Sequence, residues 1–116
     1  MSQPSPVTMD VHFAEGVAVL HTGGEIDVVT APEFEQKLTE VAAMCGDAVL
    51  VVDLLGVQFL SSAGLAVLMR TADELAGKTR FLVVADGPAT ARPMKLVGLA
   101  DALEIFPTVE AALSTV

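Results

Sequence analysis

Ser61 and Ser62 stand just after an aliphatic run and Phe59-Leu60, where Ala63-Gly64-Leu65 opens a predicted helix. A hydroxyl at that place sits beside unpaired backbone N–H groups and the positive end of the helix dipole. It is suited either to a plain N-cap or to accepting a phosphate that is read as a switch. Neither a base, a metal cluster nor a phosphate loop accompanies it, so the serine reads as a substrate and not as a nucleophile.

The other chemistry-bearing residues weaken on inspection. His12 and His21 are the only histidines, both in or beside the first predicted hairpin. Triad members can be far apart in sequence, so a Ser–His pair stays open as a hydrolase reading. However, the serines lack the G-x-S-x-G elbow. Gly77-Lys78-Thr79 imitates the end of a Walker A loop, but Ala72 stands where that motif needs glycine. The tripeptide also links a helix to a strand, the reverse of the required order. Two histidines and one cysteine offer no metal-ligand spacing. No catalytic residue, metal or cofactor is therefore expected. Cys45 continues an apolar helical stripe and reads as a small core residue. Asp27 follows Gly23-Gly24-Glu25-Ile26 at a strand end, where turn forming is the plainer role. Asp53 closes the aliphatic run, which would place it near the serine loop if both lie at one sheet edge. Two acids around a hydroxyl would then suit recognition by another protein's active site.

The elements that must position these groups follow from periodicity. Val7 to Phe13 alternates, Ala14-Glu15-Gly16 turns, and Val17 to Leu20 starts an antiparallel return. Thr30-Ala31-Pro32-Glu33 has the form of a capping box, followed by Phe34, Leu38, Val41 and Cys45 at helical spacing with Gly46 as the stop. Ala48 to Leu54 predicts a central strand covered on both faces. Leu65, Leu68, Met69, Ala72 and Leu75 define the buried face of the next helix, leaving Ala63, Ala66, Val67 and Arg70 on its open side. Phe81 to Ala85 is a strand, Ala89 to Val97 a short helix with Pro93 either in its first turn or kinking it, Leu103 to Phe106 a last strand, and Thr108 to Leu113 a closing helix. The order ββαβαβαβα predicts an α/β fold, an open mixed sheet of about five strands with helices packed against it.

The chain has 116 residues, so one domain over residues 7–116 is expected after a disordered lead-in at residues 1–6. With no Trp or Tyr, the core must be aliphatic. No apolar run approaches the roughly 18 residues that cross a bilayer, and the N-terminus has no signal-peptide pattern. A single cysteine fits a reducing cytoplasm. Fifteen acids against six bases give a formal charge of −9, which repels nucleic acid and acidic lipid. A protein partner is the remaining macromolecular class.

Gly24-Glu25-Ile26-Asp27 and Phe59-Leu60-Ser61-Ser62-Ala63-Gly64-Leu65 resemble the two hallmark segments of the anti-sigma factor antagonists, small cytoplasmic bacterial proteins with the STAS fold. The Gly98-Leu99 and Phe106-Pro107 regions resemble that family's closing segment, and the element order matches from about Val7 to Leu113. The resemblance implies partner switching. The unphosphorylated antagonist binds an anti-sigma factor that is also a serine kinase, phosphorylation disables it, and a serine phosphatase restores it. The family usually reads Asp-Ser-Ser/Thr-Gly-Leu with the phosphate on the residue after Asp. Here Ser61 holds the Asp position, Ser62 the acceptor position and Ala63 the next, so an acid is lost beside the acceptor and Ser61 becomes a secondary acceptor. Asp27, Asp53, Ser61, Ala63, Gly64, Ala66, Val67 and Arg70 are the implied partner-binding set, on a monomer or weak dimer. The alternative is a STAS protein-binding subunit of a transport or signalling complex, without a phosphorylation cycle.

Overall fold

Alternation of apolar and polar residues makes β1 (Val7–Ala14) and β2 (Val17–Ile26) an antiparallel hairpin. Its two-residue turn holds Glu15 and Gly16 at φ of 50° and 78°, the twist such a short connection needs. The computed structural model describes residues 6–45 and 48–116. Of the predicted lead-in, residues 1–5 lie outside the described residues, as does the stop signal at Gly46. Pro6 is described, and its carbonyl accepts the Glu25 N–H at 3.0 Å.

After the hairpin come α1 (Ala31–Cys45), β3 (Val49–Leu60), α2 (Ser62–Leu75), β4 (Arg80–Val84), α3 (Ala91–Leu96), a 3-10 turn at Leu99–Asp101, β5 (Glu104–Phe106) and α4 (Val109–Leu113). The strands lie side by side in chain order, β2 to β5 all parallel. The alternation expected for central strands divides the core in two. Leu20, Leu50, Val52, Phe81 and Val83 pack with Phe34, Leu38 and Val41 of α1, Val67 and Leu68 of α2 and Met94 of α3. Val19, Val51, Leu82 and Val84 face the other way, toward Ala112 of α4. Burying such side chains stabilises the fold by about 1.5–3 kcal/mol each, which makes the two-sided sheet the main source of cohesion.

β3 is longer than its aliphatic run, continuing six residues past Leu54. From His21↔Asp53 to Ile26↔Leu60, β2 advances five positions while β3 advances seven, with register shifts at His21/Gly23 and Gly24/Glu25. Each bulge inserts one residue, so the buried positions fall at Leu54, Val57 and Leu60, a spacing of three. The period-2 pattern is lost there, and with it the sequence signal for the rest of the strand.

Candidate functional site

The parallel strands β2 and β3 end together, and two loops leave that edge side by side. Ile26 pairs with Leu60, and the Ile26 carbonyl accepts the Ser61 N–H at 2.9 Å. Ser61, with extended φ/ψ of −80° and 172°, is the N-cap of α2 and its Oγ accepts the Gly64 N–H at 3.4 Å. Ser62 is the first residue of the helix and is exposed. The two hydroxyls thus divide the roles that sequence left open: Ser61 caps, and Ser62 stands in solvent over the positive helix end.

Gly64 brings this turn close to the sheet. A Cβ added there would lie 2.6 Å from Leu60 Cδ1 and 2.8 Å from Ile26 Cγ2. Glycine lets the first turn of α2 press onto the ends of β2 and β3, so Gly64 is buried and has no surface of its own.

The neighbouring loop is built on Asp27. Its carboxylate accepts the N–H groups of Val29 at 2.9 Å and Thr30 at 3.0 Å, while the Thr30 hydroxyl accepts the Asp27 N–H and donates to the Glu25 carbonyl. The hydrogen bond from the Thr30 backbone, above all, holds the Asp27 carboxyl below its ordinary pKa. This cage leaves Val28 and Val29 projecting, 74% and 79% exposed. In the sequence the only mark of these two valines is a β-branched pair in a turn segment that no periodic element claims.

Besides Gly64, two predicted members of the surface are placed elsewhere. Val67 is fully buried, because the inward face of α2 runs through Gly64, Val67, Leu68 and Thr71. The predicted face through Leu65, Leu68, Ala72 and Leu75 was rotated by about one residue. Thr71 misled that reading: its hydroxyl donates to the Val67 carbonyl at 2.8 Å, so a polar residue occupies a core position at no unpaired cost. Asp53 does not end the strand. Its carboxylate lies on the face of the sheet away from α1 and α2, 2.7 Å from His21 Nδ1, and accepts the Leu55 N–H at 2.9 Å. Leu60 lies seven positions further on, about 20 Å along the strand. The same hydrogen bond engages His21 at Asp53, on that face of the sheet.

Ala63 and Ala66 are half-buried on the α2 surface beyond Ser62, and Arg70 is exposed one turn further on. Arg70 bridges to α1 with two hydrogen bonds to Glu35, Nε to Oε2 at 2.7 Å and Nη2 to Oε1 at 3.0 Å. This contact holds the Glu35 carboxyl below its ordinary pKa. Cys45 is half-buried beside Val49, and desolvation raises its thiol pKa.

A family model for the STAS domain matches residues 8–112. The anti-sigma-F factor antagonist RsfB of Mycobacterium tuberculosis is 43% identical over 116 residues, covering 100% of this chain and 94% of that protein. The crystal structure of an anti-sigma factor antagonist from Mycobacterium paratuberculosis superposes with a TM-score of 0.90 at 44% identity, over 100% of this chain and 98% of the other. The Bacillus cell fate determinant SpoIIAA in its phosphorylated form shares the fold, with a TM-score of 0.60 at 18% identity over 93% and 98% of the two chains. With its five-stranded mixed sheet, its serine-capped α2 and these relatives, the chain belongs to the STAS domain family, among the anti-sigma factor antagonists.

Proposed function

We propose that this protein releases a sigma factor by binding its anti-sigma factor through the edge carrying Ser62, and that phosphorylation of Ser62 switches the binding off. The observation that carries the reading is the division of labour between the serines: Ser61 is engaged as the cap while Ser62 is exposed. Val28, Val29, Ala63 and Ala66 give the neighbourhood small apolar surface suited to a flat protein contact. The protein acts by binding, in the cytoplasm, and the kinase that modifies it is the anti-sigma factor itself, opposed by a serine phosphatase.

A phosphate adds about −1.5 to −2 charge at neutral pH. The fold accepts it, because a helix N-terminus favours an anion. The complex does not, because the phosphate must be desolvated against a surface made for a neutral hydroxyl, next to the ionised Asp27. A loss of about 3 kcal/mol weakens affinity more than a hundredfold. Incubation with the cognate kinase and ATP, followed by fragment mass mapping, should find the phosphate on Ser62. Ser62→Ala should bind constitutively and Ser62→Asp poorly. Phosphate solely on Ser61, or none at all, would overturn the switch.

A further inference from the structure

The sheet leaves β1 on one edge and the three-residue β5 on the other. β1 pairs with β2 over eight consecutive positions without a register shift. Alternate residues therefore turn their N–H and C=O groups outward. Natural edges of this length are blunted by a bulge, a proline, charged side chains (lysine above all) or a covering element. Thr8 to Phe13 contains no proline and no lysine, and Asp10 is its one carboxylate. Among the described residues no strand pairs with its outer side, and Phe13 is 51% exposed.

We propose that this edge joins two copies of the chain, β1 pairing antiparallel with β1 of a second copy about a two-fold axis at Val11. A two-fold perpendicular to the sheet keeps the helix-bearing faces on the same side, so facing residues must share a face and the axis must pass through a residue. With the axis at Val11, Met9 faces Phe13 on the helix side and Asp10 faces His12 on the other. Symmetry forms each pair twice. The adjacent registers are worse: an axis at Asp10 opposes that acid to itself, and an axis at His12 sets Asp10 against Ala14. Apolar and acid–imidazole complementarity thus select one occupant and one register. The pairing runs β2 of the two copies in opposite directions, which sends the two Ser62 loops to opposite ends of a ten-stranded sheet and leaves both accessible.

Sedimentation equilibrium from about 10 µM to about 1 mM, at about 0.15 M ionic strength, should show a reversible monomer–dimer equilibrium. Asp10→His and His12→Asp should each weaken it about three- to tenfold, and the double swap should restore it. The register is tested in a Cys45→Ala background, with folding checked by circular dichroism. Val11→Cys should close a disulfide dimer on mild oxidation, since facing Cα atoms about 4.5–5.5 Å apart lie within disulfide reach. Thr8→Cys, more exposed but facing Ala14, should react slowly. A monomer throughout the range, which would leave the edge to another protein's strand, overturns the proposal. So does a double swap that fails to restore association, or Thr8→Cys cross-linking as fast as Val11→Cys.

Discussion

Gly64 is the residue on which the geometry of the proposed switch turns, because an added Cβ would meet Leu60 and Ile26 between the first turn of α2 and the ends of β2 and β3. Gly64→Ala must displace Leu60 and Ile26, both themselves in the core, and should cost about 1–3 kcal/mol, read as a lower urea midpoint. If the turn instead lifts away, the midpoint barely changes and phosphorylation of Ser62 slows. Either result separates positioning from mere tolerance, whereas unchanged stability with unchanged phosphorylation would show that the close approach is unimportant. Cys45 is the opposite case, a residue with visible chemistry and a structural role. Its thiol pKa is raised by partial burial at the end of α1, so the folded protein should react slowly with a thiol reagent and quickly once denatured. Rapid stoichiometric labelling of the native protein would reopen a redox role. The serines were legible from sequence because cap chemistry is local. Asp53 was not, because its partner His21 is thirty-two residues away in sequence and meets it only through strand register.

At the scale of elements, α2 shows how a helix can be found and still be read with the wrong phase. Leu65 and Leu75 are half-buried flanks, while Val67 and Thr71 hold the centre of the contact. Val67→Glu should therefore unfold the domain, placing an unpaired carboxylate in the aliphatic core at a cost of several kcal/mol. Ala66→Glu lies on the half-open side and should preserve the melting temperature while abolishing binding to the anti-sigma factor. Reversal of those two outcomes would restore the phase read from leucine spacing. The same lesson applies to β3. Its two bulges replace alternation with a spacing of three, and no local pattern announces a strand whose partner is shorter by two residues. By contrast the stripe of α1 holds at Phe34, Leu38 and Val41, which are fully buried, while Cys45 at its end is half-buried.

For the whole molecule, the acids decide how stability follows pH. Arg70 lowers the pKa of Glu35, and Arg80 lowers that of Glu104 through hydrogen bonds to its carboxylate. A folded pKa below the unfolded one means that the contribution is complete above the unfolded value and fades as pH falls through the folded one. Protonation also relieves the repulsion of a chain carrying −9, so the informative quantity is a difference. The double variant Glu35→Gln, Glu104→Gln should have a lower urea midpoint than the parent at pH 7, and the two curves should converge below about pH 4. Parallel curves would mean that these exposed pairs add nothing. The chain-order arrangement of the strands has a further consequence, for assembly during translation. Each strand that leaves the ribosome finds its neighbour's edge already in place, and none has to insert between two that are paired. α4 follows all five strands, and until it docks, the row Val19, Val51, Leu82 and Val84 stays bare, the surface a nascent chain would offer to a chaperone.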